Sequence, residues 1–187
     1  MKACNESAVW GEIDPHKYVR LLEQLNGWLS YRLILIIAPA KSGKTELLQR
    51  WVQALSKRND HQIAWVSLGA ADNAPESFLA NLASALHIKI SENINISPED
   101  KSEWSCCLDD SSIELLNALA ARPGETVIIL DNYHFIEAPV VHKAVELMLD
   151  YLPPQVHLVI TSQTEPPLPI AHLRVRRQVV ELGPKDF

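Results

Sequence analysis

The sequence predicts an α/β protein: a three-layer α/β/α sandwich around a five-stranded, mainly parallel sheet. Two observations carry this. Five short apolar runs alternate along the chain with amphipathic stretches, the pattern of strand–helix–strand units. The runs are also continuously apolar rather than alternating, as strands covered on both faces require.

The elements follow in order. Asp14-Pro15 reads as a cap and first-turn proline, and Tyr18, Leu21, Leu22, Leu25 and Trp28 continue at helical spacing. The first strand run is Arg32–Ala38, "RLILIIA". Leu47, Leu48, Trp51, Val52 and Leu55 form the apolar face of a second helix, and "QIAWVSL" at Gln62–Leu68 is the second strand. Phe78, Leu79, Leu82 and Leu86 mark a third helix. Ile113, Leu116 and Leu119–Ala120 mark a fourth, stopped by Arg122-Pro123-Gly124. The third strand is Thr126–Asp131, "TVIILD". A fifth helix presents Val141, Ala144, Val145, Met148 and Leu152 and ends at Pro153-Pro154. Val156–Ser162 and Gln178–Leu182 complete the strands. The polar, acidic stretch at about 88–110 has no clear period and reads as a loop or insertion. Residues 1–14 are expected to be a tail, and 15–187 one domain.

Composition narrows the functional classes. At 187 residues, 47% hydrophobic and 21% charged, the chain can bury a sizeable core. No apolar run approaches the roughly 18–20 residues of a spanning helix, and the N-terminus lacks a signal-peptide apolar region, so the expected compartment is the cytoplasm. The net charge of −6 makes direct nucleic-acid binding by this segment unfavourable. Cys4, Cys106 and Cys107 are neither a disulfide framework nor a zinc cluster.

The chemistry lies after the first strand. Ala38–Thr45 reads "APAKSGKT", close to the phosphate-loop pattern G-x-x-x-x-G-K-[ST] with alanine in first place. It follows an apolar strand and opens the helix "ELLQRWVQAL", the context such a loop needs. Pro39, Ala40, Lys41, Ser42, Gly43, Lys44, Thr45 and Glu46 are the expected nucleotide-binding residues. The amides from about Ala40 to Thr45 would line phosphates at a positive helix N-terminus. Lys44 would reach the β- and γ-phosphates, and the Thr45 hydroxyl would bind Mg²⁺. Lys41 is a spare cation on the loop, and its side chain is expected in solvent or on a phosphate.

A carboxylate for the metal is offered by "VIILDNYHF": Asp131 ends an apolar strand and is expected to hold Mg²⁺ through water. Asn132 stands where many related ATPases carry the acid that polarises water. An amide can orient water but cannot take its proton, so hydrolysis is expected to be slow. At the fourth strand's end, Thr161, Ser162 and Gln163 are candidates to sense the γ-phosphate.

With these residues in place the chain resembles the nucleotide-binding domain of the MalT-type signal-transduction ATPases, bacterial regulators with a C-terminal LuxR-type DNA-binding domain. The resemblance runs from about Pro15 to the end. It rests on "RLLEQL", "IAPAKSGKT", "AWVSLGAADNAPESFLANLASAL", "VIILDNYHFIEAPVVHKAVELMLDYLPPQVHLVITS" and "PPLPIAHLRVRRQVVELGPKDF". It implies Walker A roles for Lys44 and Thr45, a Walker B role for Asp131, and counterparts for Tyr133 and His134 in the family's Asp-Asp-Tyr-His block. It also implies that Ala38 is no defect. Lys41, Asn132 and Gln163 depart from the family's glycine, second aspartate and arginine. All three lie where turnover or its readout is run. The family's helical, winged-helix and sensor regions lie beyond "GPKDF", so packing on them or self-association is the expected protein contact.

The expectation is therefore a switch module that binds ATP (or ADP) and Mg²⁺ with slow or no hydrolysis. An active ATPase or small-molecule kinase is the alternative, as is an interaction module with a vestigial site. A kinase would want an arginine-rich lid, for which Arg174, Arg176 and Arg177 are the cluster, though "LRVRRQVVEL" reads as loop plus last strand.

Overall fold

A computed structural model of the chain describes residues 15–57, 61–88 and 110–187. The expected tail at 1–14, the three cysteines and most of the expected loop at 88–110 lie outside the described residues. The elements run α1 (Pro15–Gly27), β1 (Leu33–Ile37), α2 (Lys44–Ser56), β2 (His61–Ser67), α3 (Pro75–Ala85), α4 (Asp110–Ala120), β3 (Glu125–Asp131), α5 (Pro139–Tyr151), β4 (Val156–Ser162), α6 (Ala171–Val175) and β5 (Val179–Leu182).

The five strands form one sheet in the order β2-β3-β4-β1-β5, and every pairing is parallel. Because successive side chains alternate across a strand, each strand feeds two cores. Leu33, Leu35, Ile128, Leu130, Leu158 and Ile160 pack with Phe78, Leu82, Leu115, Val141 and Val145 from α3, α4 and α5. Ile34, Ile36, Val127, Ile129 and Val159 pack on the other side with Leu21, Leu25, Leu47, Leu48, Trp51 and Leu55 from α1 and α2. Trp51 Nε1 donates to Asn26 Oδ1 at 3.1 Å, which satisfies the indole where it crosses to α1. The three layers and the parallel sheet are as the apolar runs predict.

Two elements differ from the sequence expectation. In α4 the core face is Leu115 and Leu119, while Ile113 is 43% exposed. The apolar stripe is wide enough to be read one residue out of phase, and only packing on α3 and α5 fixes its angle. Residues Ala171–Val175 form a short helix where a loop was expected. Leu173 anchors it in the core, and five residues are too few to show a period. Among the described residues no helix is long and apolar enough to cross a membrane.

Candidate nucleotide-binding site

In an open parallel sheet ligands bind beyond the carboxyl ends of the strands. There β1 delivers the loop 38–43, β3 delivers Asp131, and β4 lies between them. The loop turns sharply. Gly43 has φ 86° and Lys41 φ 62°, both left-handed. Glycine takes the first at no steric cost, but lysine carries a Cβ penalty. Ala38 is absent from the positive-φ residues and wholly buried, so its position does not require glycine. Ala38, which departs from the phosphate-loop pattern, and Lys41, which departs from the family's glycine, are thus physically unlike: Ala38 is unstrained, Lys41 is strained.

Gly43 precedes α2, whose first-turn amides at Lys44, Thr45 and Glu46 have no acceptor within the helix. Among the described residues, the Ala40, Lys41 and Gly43 amides also engage no backbone acceptor. Ser42 N–H meets Pro39 O at 3.4 Å. This row of donors at a helix N-terminus suits an anion. The Glu46 side chain turns along the helix to Arg50 at 3.1 Å, so only its amide faces the loop's role.

Lys44 is largely buried and folds back on its own loop. Its Nζ donates to Ala38 O at 2.5 Å and Pro39 O at 2.7 Å, with Ser42 Oγ at 3.5 Å. Burial lowers its pKa, and the Asp131 charge works against that shift. Thr45 Oγ1 donates to Asp131 Oδ2 at 3.2 Å, joining the residues expected to share a metal. Among the described residues no cluster of three or more His, Cys, Asp or Glu could hold a metal ion. A two-oxygen pair of hydroxyl and carboxylate fits Mg²⁺, which takes few protein ligands and completes its shell with water and phosphate oxygens.

Asp131 is buried and further fixed by β4. Thr161 Oγ1 donates to Asp131 Oδ1 at 2.5 Å and accepts from Asn132 N–H at 3.1 Å. Ser162 Oγ accepts from Thr164 N–H at 3.3 Å. Of the three residues considered for sensing, Thr161 and Ser162 are therefore taken up internally. Gln163 is exposed, and its Nε2 lies 2.7 Å from His134 Nε2. Asn132 has φ 62° and ψ 39°, a conformation asparagine tolerates better than most residues. Residues Tyr133–Phe135 then make one 3-10 turn. Tyr133 is buried, its hydroxyl 2.9 Å from His142 Nδ1 on α5, and burial pushes its pKa above the ordinary tyrosine value. His134 is held below the ordinary histidine pKa, by burial first and then by the Lys44 charge, against a smaller upward pull from Asp131.

Asn73 was given no role by sequence reasoning. Its Oδ1 accepts from Glu137 N–H at 2.7 Å and Ala138 N–H at 2.8 Å, and its Nδ2 donates to Phe135 O at 2.8 Å. The neighbouring Asp72 is buried and accepts from Gly69 N–H and the Asn81 amide. The Asp72-Asn73 pair thus clamps the segment after Asp131 to the β2–α3 connection. The available signal was the Asp-Asn-x-Pro-x-x-Phe likeness, which marks these residues without saying what they touch.

The arginine cluster lies elsewhere. Arg174 is paired with Glu181 at 2.7 Å and Glu165 at 3.1 Å. Gln178, one residue past Arg177, bonds the amides of Arg32 and Leu33 at the start of β1. At about 3.3 Å per residue, that end lies about 15 Å from the phosphate loop. Arg177 thus lies toward the opposite end of β1, and Arg174 is held by two carboxylates, one of them Glu165 just past β4.

A parallel sheet with β4 between the phosphate-loop strand and the Asp131 strand, with Lys44, Thr45 and Asp131 converging at one end, defines a P-loop ATPase fold. A family model for the AAA domain matches residues 29–165, and the chain belongs to that family. More narrowly, it is similar to the HTH-type transcriptional regulator MalT. It is 36% identical over 174 residues to the Cronobacter sakazakii protein and 35% identical over 166 residues to that of Yersinia enterocolitica. These matches cover 90% and 88% of this chain but only 18% of each relative. The resemblance to the MalT type therefore holds over nearly the whole sequence. Solved structures share the fold at low identity: Cdc6p from Pyrobaculum aerophilum (TM-score 0.61, 15% identity, covering 94% of this chain and 47% of that one) and the Aeropyrum pernix Orc1 protein, solved in complex with DNA (TM-score 0.60, 19% identity, covering 92% and 46%). A fold of this class implies a nucleotide ligand.

Proposed function

We propose that residues 15–187 are the ATP-binding switch domain of a MalT-type transcriptional regulator in the cytoplasm, binding Mg-ATP with slow or no hydrolysis. The observation that carries this is the meeting of Thr45 and Asp131 at 3.2 Å, beside Lys44 and a loop whose Ala40, Lys41 and Gly43 amides engage no backbone acceptor. The amides of residues 40–46 bind the phosphates, and Lys44 exchanges its two carbonyl partners for phosphate oxygens. Mg²⁺, held by Thr45 and through water by Asp131, would neutralise phosphate charge. Asn132 supplies no base for an attacking water, and Gln163 supplies no cation for developing charge, which is why turnover is slow. The γ-phosphate then acts by favouring one packing of this domain on partner domains or on a second copy.

Isothermal titration with Mg-ATP, on the wild-type chain beside Lys44→Ala, tests the reading. Binding heat is expected for the wild type and a loss of at least tenfold in affinity for the variant. Equal heats would sink it.

A further inference from the structure

The first residues of β2 and β3 lie at the amino end of the sheet, away from the phosphate loop. Thr126 precedes Asp131 by about 16 Å along β3. There α3 stops short. His87 takes a left-handed backbone at φ 53°. The amides of His87 and Ile88 close the helix on Ser84 O at 3.0 Å and Ala83 O at 2.9 Å. Beside that helix end is a cavity of about 390 Å³, within the range of small-molecule sites. Its walls include Gln62, Ala64, Ala85, Leu86, Arg122 and Thr126.

Two features of this cavity are not explained by folding. Thr126 is wholly buried, and its Oγ1 meets no hydrogen-bond partner. Such a hydroxyl costs stability, and valine would fill the same space without that cost. Arg122 spans the cavity from the end of α3 to β2. It donates to Leu86 O, and its Nη1 donates to Gln62 Oε1 at 2.9 Å. Both acceptors are neutral, and no carboxylate among the described residues pairs with it. It is the only permanently charged residue among the described residues that line the cavity. Two of the guanidinium's five N–H groups are engaged, which leaves three. Capping the end of α3 accounts for one contact. It does not account for an unneutralised cation and an orphaned hydroxyl on the walls of one cavity.

We propose that this cavity is a second ligand site, for a small carboxylate that carries a further oxygen, such as a 2-hydroxy acid. The carboxylate meets the remaining Arg122 N–H groups and the Gln62 amide nitrogen. The further oxygen pairs with Thr126 Oγ1. The short carbon chain lies on Ala64, Ala85 and Leu86. The site stands apart from the nucleotide site and does not depend on the reading of it.

The test is a titration of the ¹⁵N-labelled full chain with lactate, glycerate and malate, in wild type, Arg122→Gln and Thr126→Val. Lactamide and glycerol serve as uncharged counterparts. At least one acid is expected to saturate with a Kd on the order of 1 mM, as suits so few atoms. The amides of residues 62–64, 85–87 and 126 should shift, and those of 40–46 should not. Arg122→Gln should weaken binding at least tenfold, and Thr126→Val at least threefold. Thr126→Val also carries the folding control. Without the orphaned hydroxyl it should melt no lower than wild type, so its lost affinity is not a lost fold. No saturable shift with any acid, shifts centred on residues 40–46, equal binding of lactamide, or affinity that either variant keeps overturns the site. A Thr126→Val chain that melts well below wild type also overturns it, because the hydroxyl would then already have a partner.

Discussion

Thr161 and Asp131 are joined across neighbouring strands by a 2.5 Å hydrogen bond, and the same hydroxyl receives the amide of Asn132. One buried oxygen on β4 therefore sets both the carboxylate expected to serve the metal and the start of the turn that carries His134. Thr161→Val keeps the shape and removes both bonds, leaving Asp131 Oδ1 and the Asn132 amide only their 3.1 Å contact with each other. The expected cost is about 1–3 kcal/mol in denaturant unfolding, with a weaker response of nucleotide affinity to Mg²⁺. Thr161→Ser should recover most of both. A valine variant as stable as wild type would remove this assignment.

Lys41 carries a left-handed backbone at φ 62°. Replacing it by glycine relieves that strain and should stabilise the domain by about 1 kcal/mol, or about 2–4 °C in Tm for a chain of this size. Lys41→Ala removes the same charge but keeps the Cβ, so it should show no such gain. Equal melting temperatures for the two variants would mean that charge, not backbone, decides the effect.

Asn73 bonds three backbone groups between Phe135 and Ala138. Asn73→Ala should therefore loosen that segment before it unfolds the domain. Hydrogen exchange at the Glu137 and Ala138 amides is expected to speed up by at least tenfold, with a global loss of about 1–2 kcal/mol. Unchanged protection at those two amides would contradict the clamp.

His142 is held below the usual histidine pKa by burial, and its Nδ1 faces the Tyr133 hydroxyl. Its neutral form is favoured in the folded state, so the unfolded chain binds more protons as pH falls through about 6.5. The stability from this pair is fully present above that pH and is lost below it. Melting temperatures measured from pH 8 to pH 5 should fall less steeply for His142→Gln than for wild type. Parallel profiles would show that His142 does not titrate with folding.

Much of the site was legible because it is local. Lys44, Thr45 and Gly43 are neighbours in sequence, and Asp131 ends an apolar run, so spacing and polarity mark them. Strands β1, β3 and β4 were legible because burial on both faces leaves a nearly unbroken apolar signature, while the edge strands β2 and β5 are only partly buried and show shorter apolar stretches. What escaped was long-range or depended on conformation. No local pattern tells that Thr161, near the end of β4, turns to Asp131 while Gln163, just past it, turns to His134. The left-handed backbone at Lys41 and Asn132 is set by the path of the loop and the turn. Ile113 and Leu115 are equally apolar, and the docking of α4 alone decides which is buried.

The central claim is that this site holds ATP better than it cleaves it. Incubating the chain with labelled ATP and Mg²⁺, separating bound from free, and analysing the bound label tests it directly. The account predicts near-stoichiometric retention, recovered mainly as ATP after many minutes, and none on Lys44→Ala. Label recovered as ADP at the earliest times, or no retention above the Lys44→Ala background, would contradict it.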